Sequence, residues 1–410
     1  MIGVADPLAA LADLARAVRA TFTGRVVGIT GSNGKTTTKE LTAAALSASG
    51  RVLRTQSNYN TEIGLPLTIL SAAGDEKFWV LEMAMRGPGQ IAALADIARP
   101  DVGVITNVAG AHLELLGSIE AIARAKGELF AALGPHGIAV LPGGDPLVEA
   151  EAARLPASRK VRFDGGAEHA GRDVSPDVTI LDSIDVGPAG QIVRYAVRFQ
   201  PVVARLPLGG AHNARNGAAA LAVAAALNLD APDSARALAD TVLPPHRSSP
   251  RLVSGRVVLD DCYNANPASM RAALAAVVAS VARAGGDSND TGGAGDGKPP
   301  SGNRARAFAI LGDMLELGPD AAALHRELGH EAGARLAGLV GVGPLGAEIV
   351  AGAREVGLVA TRVATTNDPV AAAALVAPWT SPGDWILIKA SRGMRLERAV
   401  EALVAHPPTP

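Results

Sequence analysis

Lys35 and Thr36 close a glycine-bearing loop, Thr30-Gly31-Ser32-Asn33-Gly34-Lys35-Thr36-Thr37, that follows an apolar run starting at Val26. These residue types at this spacing do phosphate chemistry. Gly31 and Gly34 let the backbone curl so that several N–H groups aim at one anion, Lys35 supplies a point charge to β- and γ-phosphates, and Thr36 offers a hydroxyl to Mg²⁺. Ile29 stands where the strict loop pattern has glycine. The strand, loop and helix nevertheless follow in the required order, and the dipole of the helix that begins near Thr37 adds to the anion site.

Other polar residues end apolar runs in the same way. Glu82 follows Phe78-Trp79-Val80-Leu81, so its carboxylate is expected at a strand end, where a hard cation takes oxygen ligands. His112 lies just past the run Val102–Thr106 and is a second candidate metal ligand, with an incidental loop histidine as the other reading. By residue type alone, Lys126 in Ala125-Lys126-Gly127-Glu128 reads as a helix-surface lysine paired with a nearby acid. Asp260 and Asp261 end a Val-Val-Leu strand and precede the polar turn Tyr263-Asn264-Ala265-Asn266-Pro267, which fits either a ligand site or a capped turn.

The elements that must position these groups follow from the pattern. Short apolar runs alternate with Ala/Leu-rich segments, which predicts an α/β fold of parallel sheets wrapped by helices. Strands are expected at Val26–Thr30, Phe78–Leu81 and Val102–Thr106, with helices from about Thr37, Gly89 and Ile119. Thr30, Glu82 and Asn107 then share one carboxyl edge, where open α/β sheets bind ligands. Residues 142–210 read as irregular loops and strands capping this sheet. The prolines of Leu243–Pro250 mark a joint, after which Val257–Leu259, Ala307–Leu311, Leu339–Val342 and Trp385–Ile388 predict a second, smaller α/β domain. Residues 285–303 are Gly/Asp/Ser/Pro-rich and are expected to be a disordered insertion.

A length of 410 residues exceeds one ordinary core, so more than one domain is expected. The net charge of −2 gives no drive toward nucleic acid or a membrane surface, and no apolar stretch is long enough to span a bilayer. The start of the chain lacks a signal-peptide pattern, and the single cysteine, Cys262, excludes an internal disulfide framework. A cytoplasmic protein without stable membrane insertion is expected.

The loop, Asn58-Tyr59-Asn60 with Ile63-Gly64-Leu65-Pro66, Leu81-Glu82-Met83, the segment Asn107–His112, Ala125–Glu128, His212-Asn213 with Asn216, Asp260–Pro267 and Leu311–Gly318 together resemble the Mur ligases over nearly the whole chain. The Tyr-Asn-Ala-Asn-Pro and Gly-Asp-Met-Leu-Glu-Leu-Gly segments are most similar to members that add D-alanyl-D-alanine to UDP-N-acetylmuramoyl-tripeptide in peptidoglycan precursor synthesis. The resemblance implies an ATP-dependent ligase acting through an acyl phosphate, with those two molecules as partners, as a monomer. It implies a P-loop central ATPase domain over 23–243 and a Rossmann-like C-terminal domain over 244–410. Residues 1–22 then correspond to a linker helix remnant, and the N-terminal domain that grips uridine diphosphate is lacking.

By the same resemblance, Gly31, Ser32, Asn33, Gly34, Lys35, Thr36 and Thr37 hold ATP phosphates, while Asn213 and Asn216 match an adenine-side motif. Arg247 matches an arginine that reaches the phosphates, and Asp261 lies in a nucleotide-contacting motif. Thr36, Glu82, His112 and Lys126 would hold two Mg²⁺ ions, Lys126 as a carbamate derived from bicarbonate, which reverses its reading as a surface lysine. Lys35, Lys126, His112 and Arg247 form the implied catalytic set. The chain departs from the family pattern at Thr61, His246, Cys262 and Ala390. A related amide ligase with another carboxylate substrate, and a non-catalytic ATP-binding partner protein, are the alternatives.

Overall fold

The computed structural model describes residues 3–110, 116–155, 159–166, 175–284 and 305–405, so the insertion expected at 285–303 lies outside the described residues. The chain divides into two compact units. Unit 1 is Met1–Ile184 with Ile192–Pro207 and His212–Leu243; unit 2 is Pro244–Pro410 with Asp185–Gln191 and Leu208–Ala211.

Unit 1 is built on β1 (Arg25–Thr30), β2 (Val52–Arg54), β3 (Phe78–Glu82), β4 (Val102–Ile105), β5 (Ile138–Pro142), β6 (Arg159–Phe163), β7 (Val178–Asp185), β8 (Gln191–Val197) and β9 (Gln200–Leu206). They form one sheet in the order β2-β3-β1-β4-β5-β6-β7-β8-β9. From β1 the chain moves outward to β2 and β3 on one side, then returns to β4 on the other. The switch point therefore lies between β1 and β4, and the parallel register sets Ile29 beside Glu82 and Thr30 beside Ile105. Ligands bind outside the carboxyl ends at such a switch. All of β3 and β4, and all but the first residue of β1, are buried, as parallel strands covered on both faces must be.

Residues 142–210 do not cap the sheet as the sequence reading expected. They extend it: β6 pairs in parallel with β5, and β7 to β9 complete that edge. The burial of β8 and β9 alternates, the mark of strands with one wet face. Arg198 and Phe199, both at positive φ, make the two-residue connection whose twist suits a hairpin. The intervening Gly, Pro and Asp residues had hidden this period of two.

The apolar core around β1 and β3 also fixes the helix Pro7–Thr21 through Ala15 and Phe22. Asp6 caps that helix by accepting from the Leu8 and Ala9 amides at 2.9 and 3.2 Å. Phe22 stacks on buried Trp79 with ring centres 4.0 Å apart.

Unit 2 contains β10 (Ser249–Val253), β11 (Arg256–Asp260), β12 (Ala307–Gly312), β13 (Gly338–Val342), β14 (Val363–Thr366) and β15 (Trp385–Lys389). Their order is β10-β11-β15-β12-β13-β14, parallel except for β10 against β11. Two apolar clusters cover this sheet, one including Leu274, Leu328 and Ile349, the other Ala372, Val376 and Val400. Among the described residues no helix is long and apolar enough to cross a membrane.

Trp79 is 1 % exposed, and its indole fills the space between β3 and the N-terminal helix. Trp79→Ala is expected to cost about 3–5 kcal/mol. Guanidinium unfolding followed by circular dichroism should show the lower midpoint, and an unchanged midpoint would contradict this packing.

Candidate active site

The phosphate loop is held from β4. The Asn33 amide donates to Asn107 Oδ1 at 3.0 Å, and the Asn33 carbonyl accepts from Thr106 Oγ1 at 2.6 Å and Asn107 Nδ2 at 3.0 Å. The Ser32 amide donates to the Asn107 carbonyl at 3.0 Å, while Ser32 Oγ donates to the Ala109 carbonyl and accepts from its amide, both at 2.9 Å. Two glycines are required by this closeness. A Cβ on Gly31 would lie 1.8 Å from Thr106 Oγ1; one on Gly34, whose φ is +76°, would lie 2.5 Å from Asn216 Oδ1.

Lys35, Thr36 and Thr37 open the helix Lys35–Ser47, whose first amides face the loop. Lys35 Nζ donates to the Gly31 and Ser32 carbonyls at 2.8 and 3.3 Å. The loop thus presents an amine, the amides of a helix N-terminus and the buried Thr36 hydroxyl side by side. An anion fits that set.

Glu82 sits at the end of β3, 2 % exposed. Its backbone amide donates to Thr55 Oγ1 at 2.9 Å and its Oε1 accepts from Asn60 Nδ2 at 2.7 Å. Oε2 is buried with no hydrogen-bond partner among the described residues. An orphaned carboxylate oxygen is costly unless something cationic completes it, so the residue fits a hard metal ion.

Lys126 lies on the helix Ile119–Ala131 and is 2 % exposed, which corrects its reading as a surface lysine. Burial pushes its ammonium well below the usual lysine range, and the charge of Lys35 pushes it further down. Among the described residues no carboxylate forms an ion pair with it. The helix is seated by Glu128, whose oxygens accept from the Gly89 and Ala92 amides at 2.7 and 3.0 Å at the start of the helix Gln90–Ala98. Gly127 allows the close approach of Glu151, whose Oε2 lies 2.6 Å from where a Cβ would stand.

Asn213 and Asn216 are both buried on the helix Ala211–Ala226, and Asn216 meets the loop helix at its first turn. Asn216 Nδ2 donates to Asn213 Oδ1 at 3.1 Å, and Thr38 Oγ1 donates to Asn216 Oδ1 at 3.3 Å. His112 lies outside the described residues. Within unit 2, Arg247 lays its guanidinium over the Tyr263 ring at 3.8 Å. Asp261 accepts from Lys389 Nζ at 2.6 Å and from the Ser248 amide at 2.9 Å.

Two contributors, Asn60 and Thr106, escaped selection by sequence pattern, while Asn107 was placed at the strand end but without its part in gripping the loop. Asn60 anchors Glu82, and Thr106 and Asn107 anchor the loop. Asn60 and Asn107 each stand inside a polar segment noted above, but nothing in the spacing tells which side chain turns inward. In unit 2 the segment Leu311–Gly318 is pinned similarly. His325 Nε2 accepts from the Met314 amide at 2.8 Å and its Nδ1 donates to the Ala321 carbonyl at 2.6 Å, a tautomer consistent with burial lowering its pKa.

The sequence pattern of the Mur ligase middle domain matches residues 29–224, and that of the Mur ligase, glutamate ligase domain matches residues 299–392. The chain is similar to the UDP-N-acetylmuramoyl-tripeptide–D-alanyl-D-alanine ligase of a Synechocystis strain, 36% identical over 99% of this chain and 80% of that protein. The ligase of that name from Mycobacterium leprae is 38% identical over 97% of this chain and 77% of its own length. Among solved structures, MurF from Acinetobacter baumannii superposes with a TM-score of 0.82 at 26% identity, covering 98% of this chain and 82% of that one. MurF from Thermotoga maritima in complex with ADP gives 0.80 at 30% identity, covering 98% and 85%.

Lys126→Met isolates the cost of burying this amine. Because the folded-state pKa lies below the unfolded value, the unfolded chain binds the extra proton, and wild-type stability falls as pH drops from about 10 toward the folded-state pKa. In carbonate-free buffer the variant should melt about 2–4 °C higher at pH 7, the gap closing toward pH 10. Equal melting temperatures at pH 7 would contradict the burial of this amine without an ion-pair partner among the described residues.

Proposed function

The chain belongs to the Mur ligase family, and from that premise we propose that it is the ATP-dependent amide ligase that joins D-alanyl-D-alanine to the terminal carboxylate of UDP-N-acetylmuramoyl-tripeptide. The observation that carries the chemistry is the convergence of the phosphate loop, the orphaned Glu82 oxygen and the buried Lys126 amine at one sheet edge. The named relatives, similar over nearly the whole chain, support the choice of substrates.

A carboxylate does not accept an amine at neutral pH. Transfer of the γ-phosphoryl group from ATP to the tripeptide carboxylate forms one P–O bond and breaks another, giving an acyl phosphate and ADP. The dipeptide amine then adds at the acyl carbon, orthophosphate leaves with its electron pair, and the amine proton passes to solvent. No protein nucleophile takes part. The chain's contribution is to hold and stabilise: the loop amides and Lys35 bind the phosphates, and Lys35 meets the charge that gathers on phosphoryl oxygens during transfer.

Thr36, Glu82 and Lys126 are the described residues that would hold Mg²⁺, which supplies charge neutralisation to the phosphates when bound. Burial lowers the Lys126 pKa and so enlarges the neutral fraction of the amine, and a neutral amine is a nucleophile toward carbon dioxide. Addition forms an N–C bond and releases a proton, leaving a carbamate whose negative charge turns the repulsion from Lys35 into attraction. Bicarbonate is the source, and Lys126 is the residue assigned to carry it.

Phosphate release should require Mg²⁺, the UDP-linked tripeptide and D-alanyl-D-alanine together, with the pentapeptide product found by mass spectrometry. Release with no new amide bond would overturn the reading. Lys35→Ala should lower kcat by about a hundred- to a thousandfold. Removing bicarbonate should slow the wild type, while Lys126→Met, already inactive, should not respond to its return; a wild type indifferent to bicarbonate would remove the carbamate.

A further inference from the structure

Away from the phosphate loop, unit 2 brings three potential metal ligands of different chemistry to the carboxyl end of β11. His246, Asp260 and Cys262 each direct one ligand atom into a common space, and all three atoms lie within 4.8 Å of one another. His246 Nδ1 is 2.9 Å from Asp260 Oδ2, and Cys262 Sγ donates to Asp260 Oδ1 at 3.0 Å. Asp260 and Cys262 are fully buried, while the His246 side chain keeps 23 % of its surface exposed and opens the cluster to solvent.

We propose that His246, Asp260 and Cys262 form a three-ligand site for a thiophilic divalent transition ion of the Zn²⁺ class. A thiolate, an imidazole nitrogen and a carboxylate are a mixed donor set that suits zinc, whereas magnesium and calcium take oxygen ligands. Bond lengths of about 2.0–2.3 Å place neighbouring donors of a tetrahedral ion about 3.3–3.8 Å apart. With Asp260 Oδ1 as the carboxylate donor, its distances of 3.2 Å to His246 Nδ1 and 3.0 Å to Cys262 Sγ need open by about 0.1–0.8 Å to reach that spacing. Water completes the fourth position from the His246 side. On binding, the thiol loses its proton to solvent and the imidazole carries its proton on Nε2.

Two further observations point the same way. His246 is held at a φ of +66°, a conformation that a non-glycine residue adopts at some energetic cost and that here turns the imidazole onto Asp260. Its carbonyl accepts from the Tyr263 amide at 3.1 Å, and the next amide but one, Ser248, donates to Asp261 at 2.9 Å, so the loop is already laid along the strand end. Arg251 Nη2, 3.5 Å from Asp260 Oδ2, remains outside the donor set as a charge partner to the carboxylate. An ion here would fasten residues 246–248 to β11 and so fix the backbone that carries Arg247. The site is independent of the ligase reading.

The chain has one cysteine, so a thiolate-to-metal charge-transfer band reports on Cys262 alone. The full chain, under anaerobic reducing conditions, is titrated with Co²⁺ and then with Zn²⁺. One equivalent of Co²⁺ should raise the near-ultraviolet thiolate band, and one equivalent of Zn²⁺ should abolish it. Co²⁺ at the ATP-side ligands, which include no sulfur, leaves this band untouched. His246→Asn, whose side chain tolerates a left-handed φ, should weaken Co²⁺ binding at least about tenfold with the fold retained by circular dichroism. Absence of the band at saturating Co²⁺, or equal affinity in H246N, would overturn the site.

Discussion

A buried amine beside another amine, and a buried carboxylate oxygen with nothing to bond, are the constraints on which unit 1 is organised. Lys126 is held inside the unit where Lys35 repels its charged form, and Glu82 Oε2 lacks a hydrogen-bond partner among the described residues. Neither is a stable arrangement by itself. Under the proposed function, both would become favourable when a polyphosphate, its metal ion and a carbamate on Lys126 complete the set. The surrounding structure keeps them in place: Glu128 seats the Lys126 helix, Asn60 and Thr55 hold Glu82, and Thr106 with Asn107 grips the loop.

What could be read from the sequence was local. The apolar run, two glycines, Lys35 and Thr36 lie within a dozen residues, so the strand, the loop and the helix dipole follow from adjacent letters. Glu82 and Asn107 were legible as strand-end residues because buried parallel strands announce themselves as unbroken apolar runs. What escaped depends on distant chain. Thr38 and Asn216 meet across 178 residues, and Asn60 reaches Glu82 from another segment. The burial of Lys126 is set by packing on several sides of its helix, which periodicity in a window of alanines does not resolve. The edge strands β6 to β9 were obscured because their alternation is short and broken by turn residues.

Unit 2 shows the same use of buried polar groups to fix backbone. Asp313 accepts from the Gly346 amide at 2.8 Å, and burial raises its pKa, while neutral His325 ties down Met314. Arg256 is enclosed with its Nε on Thr380 Oγ1 at 3.0 Å and its Nη2 on the Thr380 carbonyl at 2.8 Å. Arg256 thus holds residues at the amino end of β11 and β15, while Asp313 and His325 hold the loop after β12 in one conformation at the carboxyl edge. The His246, Asp260 and Cys262 cluster belongs to that edge and extends it from hydrogen bonding to metal chemistry.

Activation of a carboxylate by phosphoryl transfer is the claim on which the functional reading of unit 1 stands, and oxygen transfer measures it directly. The tripeptide substrate is labelled with heavy oxygen in its terminal carboxylate and turned over with ATP and D-alanyl-D-alanine, and the released orthophosphate is analysed by mass spectrometry. Passage through an acyl phosphate predicts one heavy oxygen atom in each phosphate formed from fully labelled carboxylate. Unlabelled phosphate alongside normal amide formation would show that the carboxylate oxygen never joins phosphorus and would contradict the mechanism.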